Sequence, residues 1–206
     1  MDGERQVLRT GKTVDAVCAA AGLSKEALAL REAGQGGREF LVRLLEARLL
    51  TDAVAFLAHA MPKREGVWWV WSSAKAAAGP DAAPTIAASL EATRQWIANP
   101  VDDLRRKAFQ AAEAADFGTP AGCAGVAAFF SGDTLGPPDA PPAPPGEFAA
   151  AKVIAGGVNL AAAAGDPEGI ADRYRDFLMR GLEVADRIQL WAAAGSSPQQ
   201  SGGGAT

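Results

Sequence analysis

His59 is the sole histidine of the chain and stands seven residues after Asp52, a spacing that sets both on one face of a helix. Lys63, Arg64 and Glu65 follow closely. A base oriented by a carboxylate, with charge nearby, is what general acid–base chemistry requires. Against this, the sequence places no serine or cysteine beside His59, and a single histidine at a helix end more often caps or packs. An enzyme or small-ligand-binding helical bundle, with His59, Asp52, Arg64 and Glu65 lining a pocket, is therefore the alternative reading.

Other reactive groups are sparse. Carboxylates pair at Asp102-Asp103, Glu113/Asp116 and Asp172/Asp176. The first pair falls in the opening turn of a helix, where the dipole favours negative charge, and the others read as solvated faces. Cys18 and Cys123 have no CxxC spacing, and with one histidine they fall short of the three or four ligands of a zinc site. Each thiol lies on an apolar helical pattern and reads as a small buried hydrophobe, although two cysteines allow a disulfide. HExxH, GxxxxGK, GxGxxG and an acidic calcium loop are all missing from the sequence. Neither a catalytic set, a metal site nor a cofactor is expected.

Contact chemistry is better represented. Trp68, Trp69 and Trp71 crowd one turn, with Val67, Val70 and Trp71 on one side of the helix and Trp69 nearly opposite. Either that helix is central and buried all round, the favoured reading, or Trp69 belongs to a binding patch. From Pro137 to Pro145 six of nine residues are proline, which excludes helix and spans about 28 Å if wholly polyproline II. Phe129, Phe130 and Leu135 precede it as an apolar anchor, and no arginine or lysine lies between Gly132 and Phe148 to orient a partner. The segment is a strap packed on its own bundle, which we favour, or a preformed strand for a partner, with Pro138/Pro141 and Pro142/Pro145 as PxxP spacings. The candidate protein-binding residues are thus Trp68, Trp69, Phe129, Phe130, Leu135, Pro137, Pro138, Pro141, Pro142, Pro144 and Pro145.

The elements that must position these residues are helices. Val14–Ala21 and Lys25–Ala33 form a short pair, broken at Gly22-Leu23-Ser24 with Ser24 set to cap. Arg38–Met61 is apolar-periodic with an expected break at Thr51-Asp52. Helices start near 62, 84, 101 and 120, three of them at prolines, and Gly118-Thr119-Pro120 suggests a left-handed stop, a cap and a first turn. A long amphipathic helix is expected over 167–194. This predicts an all-α fold of about 7–9 helices, a multi-helix bundle or a short solenoid of stacked hairpins, with a proline-rich extended strap at 133–146.

Composition bounds the rest. The chain has 206 residues, 49% of them hydrophobic and 21% charged, with a net charge of −4. That is globular, with no basic footprint for nucleic acid. Residues 148–164 form the least polar run but carry Lys152, Asn159 and a glycine pair, which argues against a membrane span. No signal peptide is visible, so a cytoplasmic location is expected. The organisation read from sequence is an N-terminal helical pair (1–36), a main helical domain (37–194) and a disordered polar tail (195–206).

Asp52–Trp69, Phe109 with Ala111–Ala115, and Thr119–Leu135 leading into the prolines together resemble a bacterial family of alanine-rich helical proteins with no assigned function. The resemblance covers roughly residues 40–190 and leaves out the N-terminal 35. Its most specific marks are Lys63-Arg64-Glu65 before the paired tryptophans and Phe129-Phe130-Ser131-Gly132-Asp133-Thr134-Leu135 before the prolines. Members occur near type VI secretion genes, alongside adaptors and effectors. What the resemblance implies is an accessory role without catalytic residues. The leading expectation is a non-enzymatic adaptor or chaperone-like protein, serving effector loading, with another protein as partner.

Overall fold

Helices built mainly from alanine bury little area each, so cohesion depends on backbones approaching closely and on a few large anchors. The computed structural model describes residues 7–137 and 139–192, and among these it holds ten α-helices and no strand. They are α1 (Val14–Ala21), α2 (Lys25–Ala29), α3 (Gly37–Glu46), α4 (Leu50–Ala60), α5 (Lys63–Ala78), α6 (Pro84–Ala98), α7 (Asp102–Ala114), α8 (Pro120–Phe129), α9 (Ala149–Ala163) and α10 (Ile170–Arg187). The expected tail and Pro138 lie outside the described residues.

The arrangement is a bundle and not a solenoid, because α5 packs on α6, α8, α9 and α10 alike. Glycines permit the closest crossings. A Cβ on Gly125 of α8 would stand 2.6 Å from the Ala108 carbonyl oxygen of α7, and one on Gly181 of α10 would meet the Trp69 ring at 2.7 Å. Trp69 is fully buried, and its indole N–H donates to the Phe177 carbonyl at 2.7 Å, 108 residues away. Residues 7–36 join the same apolar core, which runs from Leu8 through Val17 and Ala27 to Leu190. The Arg9 amide donates to the Leu190 carbonyl at 3.0 Å, tying the first described segment to the last.

Several boundaries follow the sequence chemistry and some depart from it. Ser24 caps α2, and Thr119 caps α8 with Pro120 in the first turn. The break before α4 falls at Ala47–Leu49 instead of Thr51-Asp52: Arg48 itself takes φ 58°, with no glycine to announce it. Asp52 lies inside α4 and accepts from the Ser24 amide and hydroxyl at 2.7 and 3.0 Å. The left-handed stop after α7 is Asp116 (φ 68°) and not Gly118, since the Asp116 carboxylate accepts from the Gly118 amide and stabilises the turn. The long terminal helix ends at Arg187, followed by a turn through Gln189 (φ 54°).

Candidate functional site

The proline segment is held from below by arginines that come from α7. Its first turn, Asp102-Asp103-Leu104-Arg105-Arg106, has acid-to-base spacings of three and four, so both guanidiniums reach the Asp102 carboxylate. Those bonds, from Arg106 first and Arg105 second, hold the Asp102 carboxyl below its ordinary range. Arg105 is only 3% exposed. It donates to Asp102, to the Phe129 carbonyl at 2.7 Å and to the Thr134 carbonyl at 2.9 Å, and sits 4.6 Å from the Phe129 ring centroid. Arg106 donates to the Gly136 carbonyl at 2.6 Å. The loop backbone lies so close that a Cβ on Gly132 would stand 2.5 Å from Arg105 Nε.

Above these anchors the loop folds back on itself. The Leu135 amide donates to the Ala143 carbonyl at 2.8 Å, the Ala143 amide to Thr134 Oγ1 at 2.9 Å, and the Ala140 amide closes a turn on the Pro137 carbonyl at 3.1 Å. A straight 28 Å span is thus not what is found, since Ala140 returns to Pro137. Only Pro141–Pro145 is free of secondary structure throughout, and proline on both sides of each step favours polyproline II there. A strap packed by its rings is also not what is found: Pro137, Pro141, Pro142 and Pro144 are exposed, and Pro145 is half-buried.

The remaining candidates divide by burial. Trp69 is taken off the surface by its place in the core. Phe129 is buried, its ring tilted against Phe109 with centroids 4.3 Å apart, while Phe130 and Leu135 are half-buried. Trp68 is half-buried and lines a cavity of about 260 Å³ with Arg64, Glu65, Ile97, Val184 and Arg187. A second cavity, of about 430 Å³, shares Arg64 and is lined also by Lys63, Trp96, Val101, Asp102, Arg105 and Ser131–Thr134. Lys63 and Arg64 of one stretch singled out in the sequence, and Ser131-Gly132-Asp133-Thr134 of the other, therefore meet across one cavity, while Glu65 faces the smaller one.

Residues 40–185 match a family described as "Family of unknown function (DUF6931)". The chain belongs to this family. No curated protein and no solved structure matches it. The DUF6931 span runs from Phe40 of α3 to Ala185 of α10 and takes in the larger cavity, the proline loop and all of the smaller cavity's lining but Arg187, while α1 and α2 stand outside it.

The pairing of His59 with Asp52 is not assembled, because Asp52 is engaged by Ser24. His59 is 3% exposed, and its Nδ1 donates to the Ala55 carbonyl at 2.8 Å. That tautomer leaves Nε2 as a buried acceptor with no partner among the described residues. Burial lowers the imidazole's pKa, and Lys12 and Lys152 push it the same way. Phe148 lies 5.7 Å from the ring, and the Lys12 ammonium donates to the His59 carbonyl at 2.9 Å. Cys18 and Cys123 are free and buried, as their apolar settings suggest.

Reading the sequence missed Arg105 and Trp96. The signal for Arg105 was present in the Asp102-x-x-Arg105-Arg106 spacing. What hid its role is that the loop it holds lies 24 to 29 residues further along.

Proposed function

We propose that the protein is a non-enzymatic helical protein-binding module, an accessory or chaperone-like adaptor that engages its partner through the Phe130–Pro145 loop and the Trp68 surface. The observation that carries this reading is a main chain tied down by Arg105 and Arg106 while four proline rings stay exposed. A strap that served packing alone would bury those rings. A loop ordered at folding loses little further entropy when it binds, which favours association. The resemblance read from the sequence, to proteins encoded near type VI secretion genes, favours a secretion adaptor or effector as the partner and effector loading as the step served. An enzyme or small-ligand site around His59 has less support, since Asp52 is committed elsewhere.

The test is affinity for a purified candidate effector or adaptor, measured for the wild type, for a Pro141→Ser/Pro142→Ser double variant and for Trp68→Ser. Each variant is expected to bind about tenfold more weakly, the loss of one interface anchor worth about 1.4 kcal/mol. The melting temperature should hardly move for the proline variant and should fall for Trp68→Ser, whose half-buried ring packs on the core. Equal affinity across all three proteins rejects the loop and Trp68 as the contact.

A further inference from the structure

Lys63 and Arg64 are the first two residues of α5, and the helix cap before them is Pro62, which makes no side-chain cap bond. Cations are disfavoured at that end of a helix, where a serine, aspartate or glutamate would stabilise the turn. Only Glu65 offsets them. Arg64 gains something in return, donating to the Ile97 carbonyl of α6 at 2.8 Å. For Lys63 no hydrogen bond or ion pair is found among the described residues, and it is exposed on the wall of the 430 Å³ cavity. A local rule is broken there without an internal gain, as happens where a site serves something outside the chain.

The cavity's other groups narrow what would enter. Among the residues lining the cavity Arg105 offsets Asp102, so the charges left there are Lys63, the partly engaged Arg64 and the exposed carboxylate of Asp133. The balance is about one positive charge, which suits a single carboxylate and not a doubly charged phosphate facing Asp133. Trp96 forms an apolar wall with Pro100 and Val101 beside the cations. Resting on the protein-binding reading above, we propose that this cavity receives an acidic segment of the partner: a carboxylate against Lys63 and Arg64, with its adjoining aliphatic side chain against Trp96 and Val101. The proline loop borders the same cavity through Ser131–Thr134, so one partner would meet both.

The probe is a fluorescent peptide of alternating leucine and glutamate, titrated against the full chain beside a leucine–glutamine counterpart and inorganic phosphate. The glutamate peptide should bind saturably, and the glutamine peptide about tenfold more weakly. Lys63→Glu should weaken binding by about tenfold and Asp133→Asn tighten it about threefold, both effects shrinking at high salt. Lys63→Glu should also leave the melting temperature unchanged or raise it, because an acid suits that helix end; a structural role for Lys63 predicts a fall. Equal binding of both peptides, indifference to Lys63→Glu, phosphate displacing the peptide at low millimolar concentration, or no peptide binding at all would each overturn the proposal. If the peptide fails while Pro141→Ser/Pro142→Ser still weakens partner capture, the acidic-segment inference falls and the protein-binding reading stands. The converse result removes that reading instead.

Discussion

Arg105→Met removes the guanidinium that joins α7 to the proline loop and leaves its aliphatic stem in place. Replacing a buried ion pair by apolar groups is often neutral, because both charged partners leave together. Here the acceptors are main-chain carbonyls of Phe129 and Thr134, which no substitution at 105 can remove. Asp102 keeps Arg106, so its carboxylate is not orphaned. The loss is then two hydrogen bonds from a charged donor to main chain, at about 1.5–3 kcal/mol each, with the weaker pairing to half-exposed Asp102 and a contact with the Phe129 ring, partly offset by the easier burial of methionine. We expect about 3–5 kcal/mol, or roughly a 10 °C fall in melting temperature for a chain of this size. Urea unfolding followed by circular dichroism measures the first. Amide exchange at Leu135 and Ala143, whose N–H groups close the loop, measures whether the damage is local. Arg105→Lys should recover part of the loss, since an ammonium cannot match the guanidinium's fork. A cost below about 1 kcal/mol with unchanged exchange at both amides would refute the anchoring role.

Acidification should weaken the fold through His59: its lowered pKa means the unfolded chain binds the proton more readily, so stability is full above about pH 6.5 and falls as pH drops below it. His59→Phe should flatten that slope between pH 7 and 5 in urea titrations. Gly125→Ala should cost about 1–3 kcal/mol, because the new methyl meets the Ala108 carbonyl oxygen at 2.6 Å and main chain cannot yield as a side chain does. Burial pushes the Cys18 thiol up to about 11 and raises that of Cys123, so both should resist iodoacetamide at pH 8 until denaturant is added.

What the sequence revealed depended on how local the cause was. Helix starts at Pro84, Pro120 and Ser24 were legible because a cap or a proline acts within one turn. The break at Arg48 was not, since an exposed non-glycine residue takes φ 58° there with no turn residue beside it to signal it. Trp69 was readable as a core residue from its neighbours' periodicity, but its partner Phe177 was beyond the reach of any local pattern. For the proline loop, counting rings gave the wrong path: the Ala140 amide returns to the Pro137 carbonyl, beyond carbonyls held by α7. The cavity follows the same logic. Lys63, Arg64 and Ser131–Thr134 stood out in the sequence while Trp96 and Arg105 did not, and only tertiary structure brings residue 63 beside residue 133.

The bond between Arg9 and Leu190 has a bearing on synthesis. A nascent chain that has released α1 to α5 from the ribosome holds Trp69 with neither Phe177 nor Gly181 to cover it, and Leu8 without the terminal turn. At 5–20 residues per second that unfinished state lasts on the order of ten seconds. Its adhesive indole is then open to holdases or to neighbouring chains, and slow codons placed between α5 and α10 would prolong the hazard.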